Sequence, residues 1–426
     1  MTAEPDVDIG RPQHVALRHN GAFRLLYGGY MGSTLTDGLI PIAFTVEVLR
    51  ASSSPWALSA VLICLWIGNV AVTPISGRLA STRNPLQVMM FADLVRVVAQ
   101  GALLAVIATA GNSVPAMALS AALYGAGAGF YRPAQHTALP DLVGLPHLTR
   151  ANAAFSVATD LSLIGGPLLG IAALNSIGFN GILALDCMTF TLNIAILWRL
   201  RTQFPSTYCD SSETTGAYRD LSPAGESTLR AATRIVGRDH FLRASLLFWC
   251  ITSVLIGMIA VYTPTRIIHE TGNAGAWALI STVMALCSLA GSVTAAATGK
   301  AAYGIGVFVL ACLLGGQGAL IFGLQPSPLR IVLICGVFGA GALVTTWAGI
   351  HWTTAMQQRL PRAELGRFSA VESTLTGIGA PAGMALAPLL ATDLGPALLA
   401  VLVVMALTSA TAVVRQSLRR NNHATS

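Results

Sequence analysis

From residue 22 to residue 415 the chain alternates long apolar runs with short polar breaks. A bilayer core about 30 Å thick takes roughly 20 helical residues to cross. Runs of that order fall near 22–48, 56–80, 86–110, 114–135, 150–174, 178–199, 241–267, 274–298, 302–323, 329–356, 367–391 and 395–415, which predicts twelve spanning helices. The tightest separations are 174–178 and 391–395. Arg201 to His240, rich in Ser, Thr, Arg and acidic residues, is the longest polar interruption and divides the spans six and six. The pattern predicts an all-α polytopic membrane protein: a tail over 1–20, a six-helix bundle over 21–200, a central loop over 201–240, a second bundle over 241–417 and a tail over 418–426.

Composition supports this reading. Of 426 residues, 54% are hydrophobic and 10% charged, where a soluble protein carries about 25% charged. Water-soluble domains and disorder are both excluded. The polar first residues, Met1 to Asn20, hold no signal-peptide core. Cys64, Cys187, Cys209, Cys250, Cys287, Cys312 and Cys335 are scattered without metal-ligand or disulfide-framework spacing. Neither a metal nor a cofactor is expected.

The net charge of +7 reports orientation once it is read by position. With the N-terminus inside, the inner segments collect Arg11, Arg18, Arg24, Arg78, Arg83, Arg132, Arg150, a cluster from Arg199 to Arg243, Lys300, Arg359, Arg362, Arg367, Arg415, Arg419 and Arg420. The outer loops keep Arg50, Arg266 and Arg330. Both termini are therefore expected in the cytoplasm, with the chain in the cell membrane.

The halves echo each other. Pro133-Ala-Gln-His-Thr-Ala-Leu-Pro140 precedes a helix opened by Arg150 and reaching Gly165-Gly-Pro167. Thr354-Ala-Met-Gln-Gln-Arg-Leu-Pro361 precedes a helix opened by Arg367 and reaching Gly379-Ala-Pro381. Parallel six-span repeats with a site between them are the architecture of alternating-access transporters.

Over residues 20–417 the chain resembles the major facilitator superfamily, and within it the branch of siderophore and macrolide exporters. The residues carrying the resemblance are Ala92-Asp-Leu-Val-Arg96, Phe130-Tyr-Arg-Pro-Ala134 with Leu139-Pro140, Ala151-Asn152-Ala153, Leu185-Asp186 and Leu360-Pro-Arg-Ala-Glu-Leu-Gly-Arg367. The exporters' span-five motif is present at Gly166, Pro167 and Gly170. Two features depart from the family. Ser81 follows Gly77-Arg-Leu-Ala80 where an acid is usual, and Ala122 stands near the position of the span-four Arg common in proton-coupled members. The resemblance implies a secondary transporter, with span one lining a central cavity.

Ionisable side chains inside hydrocarbon are expensive and mark candidate sites. Asp37 lies about 15 residues into span one, near mid-membrane by helical rise. It shares a polar face with Tyr30, Thr34, Pro41 and Thr45. Two readings stand for it: a proton carrier or cation anchor, and an acceptor pinning spans one and four together. Asp160 and Glu372 sit at comparable depths in the two halves and are further proton-coupling candidates; Asp186 reads as structural. Asp93 and Arg96, spaced i,i+3, read as a local ion pair, or as a cytoplasmic gate with Arg78, Arg83 and Arg132. Ser120, Tyr124, Trp249, Thr252 and Trp347, with Tyr30 and Thr34, are candidates to line the substrate cavity, since amphipathic rings suit a large, partly apolar ligand. His351 reads as structural, and Trp56, Trp198 and Trp352 as interfacial anchors.

Glycines at 125, 127 and 129 lie within a span and serve helix contact. Thr294 occupies the glycine position that a phosphate loop ending at Lys300 would need, so ATP hydrolysis is excluded. With no nucleophile or metal constellation, the chain does not read as an enzyme. The function expected is proton-coupled export of an amphipathic small molecule by a monomer in the lipid bilayer, with no nucleic-acid partner. An importer or lipid transporter of the same fold, or a membrane sensor, are the alternatives.

Overall fold

The computed structural model describes residues 20–52, 55–203, 227–271, 274–298, 303–323 and 328–424. The N-terminal tail, most of the central loop, Cys209 and Lys300 lie outside the described residues. Within them the chain is all helix and turn, without strands. The helices are α1 Gly21–Asp37, α2 Ile40–Ala51, α3 Pro55–Ala71, α4 Thr73–Thr82, α5 Pro85–Ala110, α6 Val114–Val143, α7 Leu148–Ser176, α8 Gly178–Gln203, α9 Thr228–Arg238, α10 His240–Thr271, α11 Ala274–Ala297, α12 Tyr303–Gly323, α13 Pro328–Arg359, α14 Arg362–Leu386 and α15 Gly395–Ala424.

Among the described residues, eight helices are long and apolar enough to cross a membrane, and α3 with α4, bent by 42°, makes a ninth. α1 with α2, α6 and α7 stand apart from these. These are the helices whose faces carry Tyr30, Ser33, Thr34 and Asp37, then Arg132, Gln135 and His136, then Asn152, Ser156, Thr159 and Asp160.

The first expected span, 22–48, is broken at Gly38 and Leu39, where Pro41 opens α2 without a backbone donor. The second, 56–80, breaks at Val72, with Pro74 in the first turn of α4. α7 crosses the α1–α2 break at closest approach. A Cβ on Gly166 would lie 2.5 Å from the Gly38 carbonyl oxygen, and one on Gly170 would meet the Ile42 Cβ at 3.3 Å. Small residues on both sides permit this crossing. Ser162 seals it by donating from Oγ to the Thr34 carbonyl at 2.6 Å.

The large apolar clusters divide by sequence. One draws on residues from Ile235 to Val413, two others on residues from Ala22 to Leu200, and only a small group (Ala153, Ala295, Ile350) mixes the two parts. The parts meet where α14 packs on α4 and α6, and where α7 packs on α11 and α13. α9 lies on the face where α1 begins and α15 ends, against α4 and α14. Its Thr228 hydroxyl donates to the Pro74 carbonyl at 2.5 Å, and Arg234 and Arg238 pair with Glu364 of α14 at 3.8 and 3.4 Å.

At the opposite face, Glu270 accepts from Arg266 at 2.7 Å and from Arg330 of α13 at 2.5 Å. Burial alone would raise its carboxyl, but the two guanidinium groups outweigh this and hold it below its ordinary 4.5. A lowered carboxylate contributes stability that is present above its unfolded value and disappears as pH falls through the folded one. Glu270→Gln should therefore lower the melting temperature at neutral pH, with the gap to wild type closing below pH 4.5, as read by thermal melts in detergent. Gly166→Leu should destabilise by about 1–3 kcal/mol through overpacking at the helix crossing, measured the same way.

Candidate functional site

α1 ends on Asp37 at the helix break, and its polar face turns inward. The Tyr124 hydroxyl of α6 donates to Asp37 Oδ1. Behind it, Arg96 of α5 lies over the rings of Tyr124, Tyr131 and Phe190 at 5.4, 5.4 and 5.0 Å. Arg96 also pairs with Asp93 at 3.7 Å, and Asn193 of α8 donates to Asp93 Oδ2 at 2.7 Å. Gly127 makes room for this layer, since a Cβ there would strike the Arg96 side chain at 2.6 Å. Pairing, amide donation and aromatic faces together offset the cost of a charge pair in the bilayer interior.

Between the two parts of the chain lies a cavity of about 880 Å³. Three carboxylates reach it from three helices: Asp37, Asp160 of α7 and Glu372 of α14. Asp160 accepts from Ser288 at 2.9 Å and from Ser292 at 2.6 Å, both on α11 across the seam. Glu372 accepts from the Trp352 indole at 3.2 Å. One wall is aromatic, with Tyr30 edge-on to Phe155 at 4.7 Å and stacked on Tyr131 at 6.4 Å; Trp249 and Trp352 face it from the other part. The chamber thus offers acid groups and broad apolar rings to one occupant.

Towards the face carrying the start of α1, neutral hydrogen bonds join the two parts beneath the chamber. Asn152 donates to Thr354 at 2.9 Å and to Gln357 at 2.7 Å. Gln357 donates to the His136 carbonyl at 3.1 Å, His136 Nδ1 meets the Ser369 hydroxyl at 2.7 Å, and Thr73 meets Thr374 at 2.5 Å. Nearer the face, Arg362 pairs with Asp141 at 3.5 Å. Burial pushes the Asp141 carboxyl up from its ordinary value, and the Arg362 charge opposes that rise.

Residues 26–371 match the sequence profile of the Major Facilitator Superfamily. The chain belongs to that superfamily. Its members are membrane transporters rather than enzymes. No curated protein sequence matches it. Among solved structures it is similar to a bacterial homologue of the iron transporter ferroportin in an outward-facing state, with a TM-score of 0.74 at 16% identity over 93% of this chain and 99% of that one. It is similar also to the human organic anion transporter MFSD10 (TM-score 0.67, 15% identity, 92% and 98% covered) and to the transporter FucP in an outward conformation (0.62, 12%, 93% and 98%). At such identities the likeness is one of fold.

Within this superfamily fold, Tyr30, Thr34, Asp37, Asp160, Trp249 and Glu372 line the chamber, as does Pro41, while Thr45 turns its hydroxyl to the Pro41 carbonyl. The chamber lining does not include four of the expected residues. Ser120 donates to the Ala99 carbonyl, Tyr124 supports Asp37 from behind, Thr252 is fully buried, and the Trp347 indole bonds Thr298. Each sits on a helix that reaches the chamber, but on a face turned into its own half. Trp352, expected as an interfacial anchor, is buried at the chamber instead.

The charged gate expected from Asp93, Arg96, Arg78, Arg83 and Arg132 takes another form. Asp93 pairs with Arg96 inside the first half, and none of the ion pairs among the described residues involves Arg78, Arg83 or Arg132. Arg78 and Arg83 are exposed, and Arg132 stands exposed at the chamber wall. Where the family acid is replaced by Ser81, Gly366 of α14 presses on Ala80 and the Ser81 nitrogen, and the carboxylate at this seam is Glu364. The layer that joins the halves, His136, Asn152, Thr354 and Gln357, lies on or beside the two copies of the internal repeat. The likeness of those two segments in the sequence is the signal that pointed to them.

Asn152→Leu removes two of the bonds that join the two parts beneath the chamber. A cysteine at Ser156, in a background whose natural cysteines are replaced, should then react roughly tenfold faster with an impermeant maleimide applied at the α1-start face.

Proposed function

We propose that this protein is a proton-coupled antiporter that exports an amphipathic small molecule across the cell membrane by alternating access. In this reading α1 with α2, α3 with α4, α5 to α8 and α10 to α15 form twelve spans in two six-helix bundles, 21–200 and 241–417. Both termini and the 201–240 connection are cytoplasmic. The observation that carries the reading is the chamber between the two parts of the chain, lined by three carboxylates and by broad aromatic rings.

With the hydrogen-bonded layer on the cytoplasmic side, the described state is closed inward and its chamber serves the outside. A proton entering from outside neutralises Asp37, weakening its hold on a bound molecule and removing the charge that opposes closure. Asp160 bridges to Ser288 and Ser292 of the other half, so its protonation would loosen the seam about which the halves rock. Glu372, beside Trp352, supplies the third acid. The Gly166, Pro167, Gly170 motif and the likeness to the exporter branch favour efflux. A protomer with a complete chamber favours a monomer.

Asp37→Asn should abolish proton-driven efflux, by at least about tenfold, while expression and folding persist. The assay is drug and siderophore susceptibility in an efflux-deficient host, with transport in proteoliposomes under an imposed pH gradient. Unchanged transport removes Asp37 from the mechanism, and inward accumulation replaces export by import.

A further inference from the structure

A second cavity, of about 340 Å³, lies inside the second half among α10, α11, α12 and α13. It falls within the range of about 300–1,000 Å³ typical of small-molecule pockets. Its walls are apolar, with Ile256, Ile259, Trp277, Met284 and Phe338 among them. Four polar side chains break that pattern, Ser288, Thr345 and Thr346 with their hydroxyls and Gln317 with its amide. Gln317 of α12 is 6% exposed, lines this cavity, and makes no hydrogen bond among the described residues. Its amide sits where a Cβ on Gly341 would collide with it, so the glycine opposite leaves it room. A buried amide without a partner is costly unless something bound completes it.

The side cavity adjoins the central chamber. Thr346 lines both. Ser288 lines the side cavity, donates to Asp160 of the chamber at 2.9 Å and shares a hydrogen bond with Thr346 at 2.7 Å. Two hydroxyls therefore stand between the chamber, at its Asp160 side, and the mainly apolar recess.

We propose that the recess is a subsite for the apolar arm of the transported molecule, an alkyl or aryl group carrying one hydrogen-bonding atom that Gln317 satisfies. The polar end of the same molecule stays in the chamber beside Asp160. A membrane lipid chain is the poorer occupant, since hydrocarbon offers nothing to Gln317 and has no use for a junction with the acid chamber. This assignment rests on the transport reading of the chamber. It adds where the cargo's apolar part goes and what that part must carry.

The test is photolabelling of the full-length protein in nanodiscs with a medium-chain aliphatic amine bearing a ketone and a diazirine on its chain, mapped by peptide mass spectrometry. Labels are expected on Met284, Phe338 and their neighbours in the recess. Ala342→Trp, which fills the recess, should abolish them. Gln317→Leu, close in shape and safe for folding, should weaken them about fivefold, the worth of one neutral hydrogen bond. Equal labelling in wild type and Gln317→Leu overturns the proposal. So does labelling that falls on Leu279 and Leu286, exposed on α11, or that added phospholipid displaces. Because occupancy is read without transport, its failure sinks the subsite alone, whereas the host-cell efflux assay judges the transport reading separately.

Discussion

A carboxylate inside a bilayer must be paired, hydrogen-bonded or given a polar space, and this fold uses all three solutions within one half. Asp93 is fully buried and answered by Arg96 and Asn193. Asp186 is equally buried and takes a hydrogen bond from Gln100 at 3.3 Å. Asp37 is half-buried, supported by Tyr124 on one side and open to the chamber on the other. The two readings open for Asp37, a working acid and a clasp between the first and fourth spans, are therefore compatible in one geometry. The rest of the first half follows from this constraint, because α1, α6 and α7 must carry polar faces and so cannot be uniformly apolar.

The seam between the halves obeys a second rule. The layer beneath the chamber is made of neutral hydrogen bonds, each worth only about 0.5–1.5 kcal/mol net, rather than of ion pairs, whose burial costs more. Asn152, Gln357, Thr354, His136 and Ser369 fit that description. The ion pairs of this region are Asp141 with Arg362 and the buried Glu364 with Arg234 and Arg238 of α9. The helix of the central connection thereby touches both halves, on α4 through Thr228 and on α14 through its arginines.

The sequence by itself determined the class of molecule. Apolar runs long enough to span a bilayer, the scarcity of charge and the duplicated Leu-Pro corners are one-dimensional properties, and they led to an all-helical transporter fold whose family the profile match shows. They also singled out Asp37, Asp160 and Glu372, because a lone acid in an apolar run is conspicuous without any knowledge of its neighbours.

Tertiary structure decided which face of each helix looks into the chamber. A helical wheel gives the faces of Ser120, Tyr124, Thr252 and Trp347 but not their direction, and all four turn from the chamber into their own half. The partners of the seam are equally invisible in one dimension, since Asn152 and Gln357 are separated by 205 residues and meet only after both halves have packed. The breaks at Gly38 and Val72 belong here too, as glycine and proline permit a bend but the helix crossing decides whether it is used. Periodicity fixes what must leave water; only packing fixes which groups then face one another.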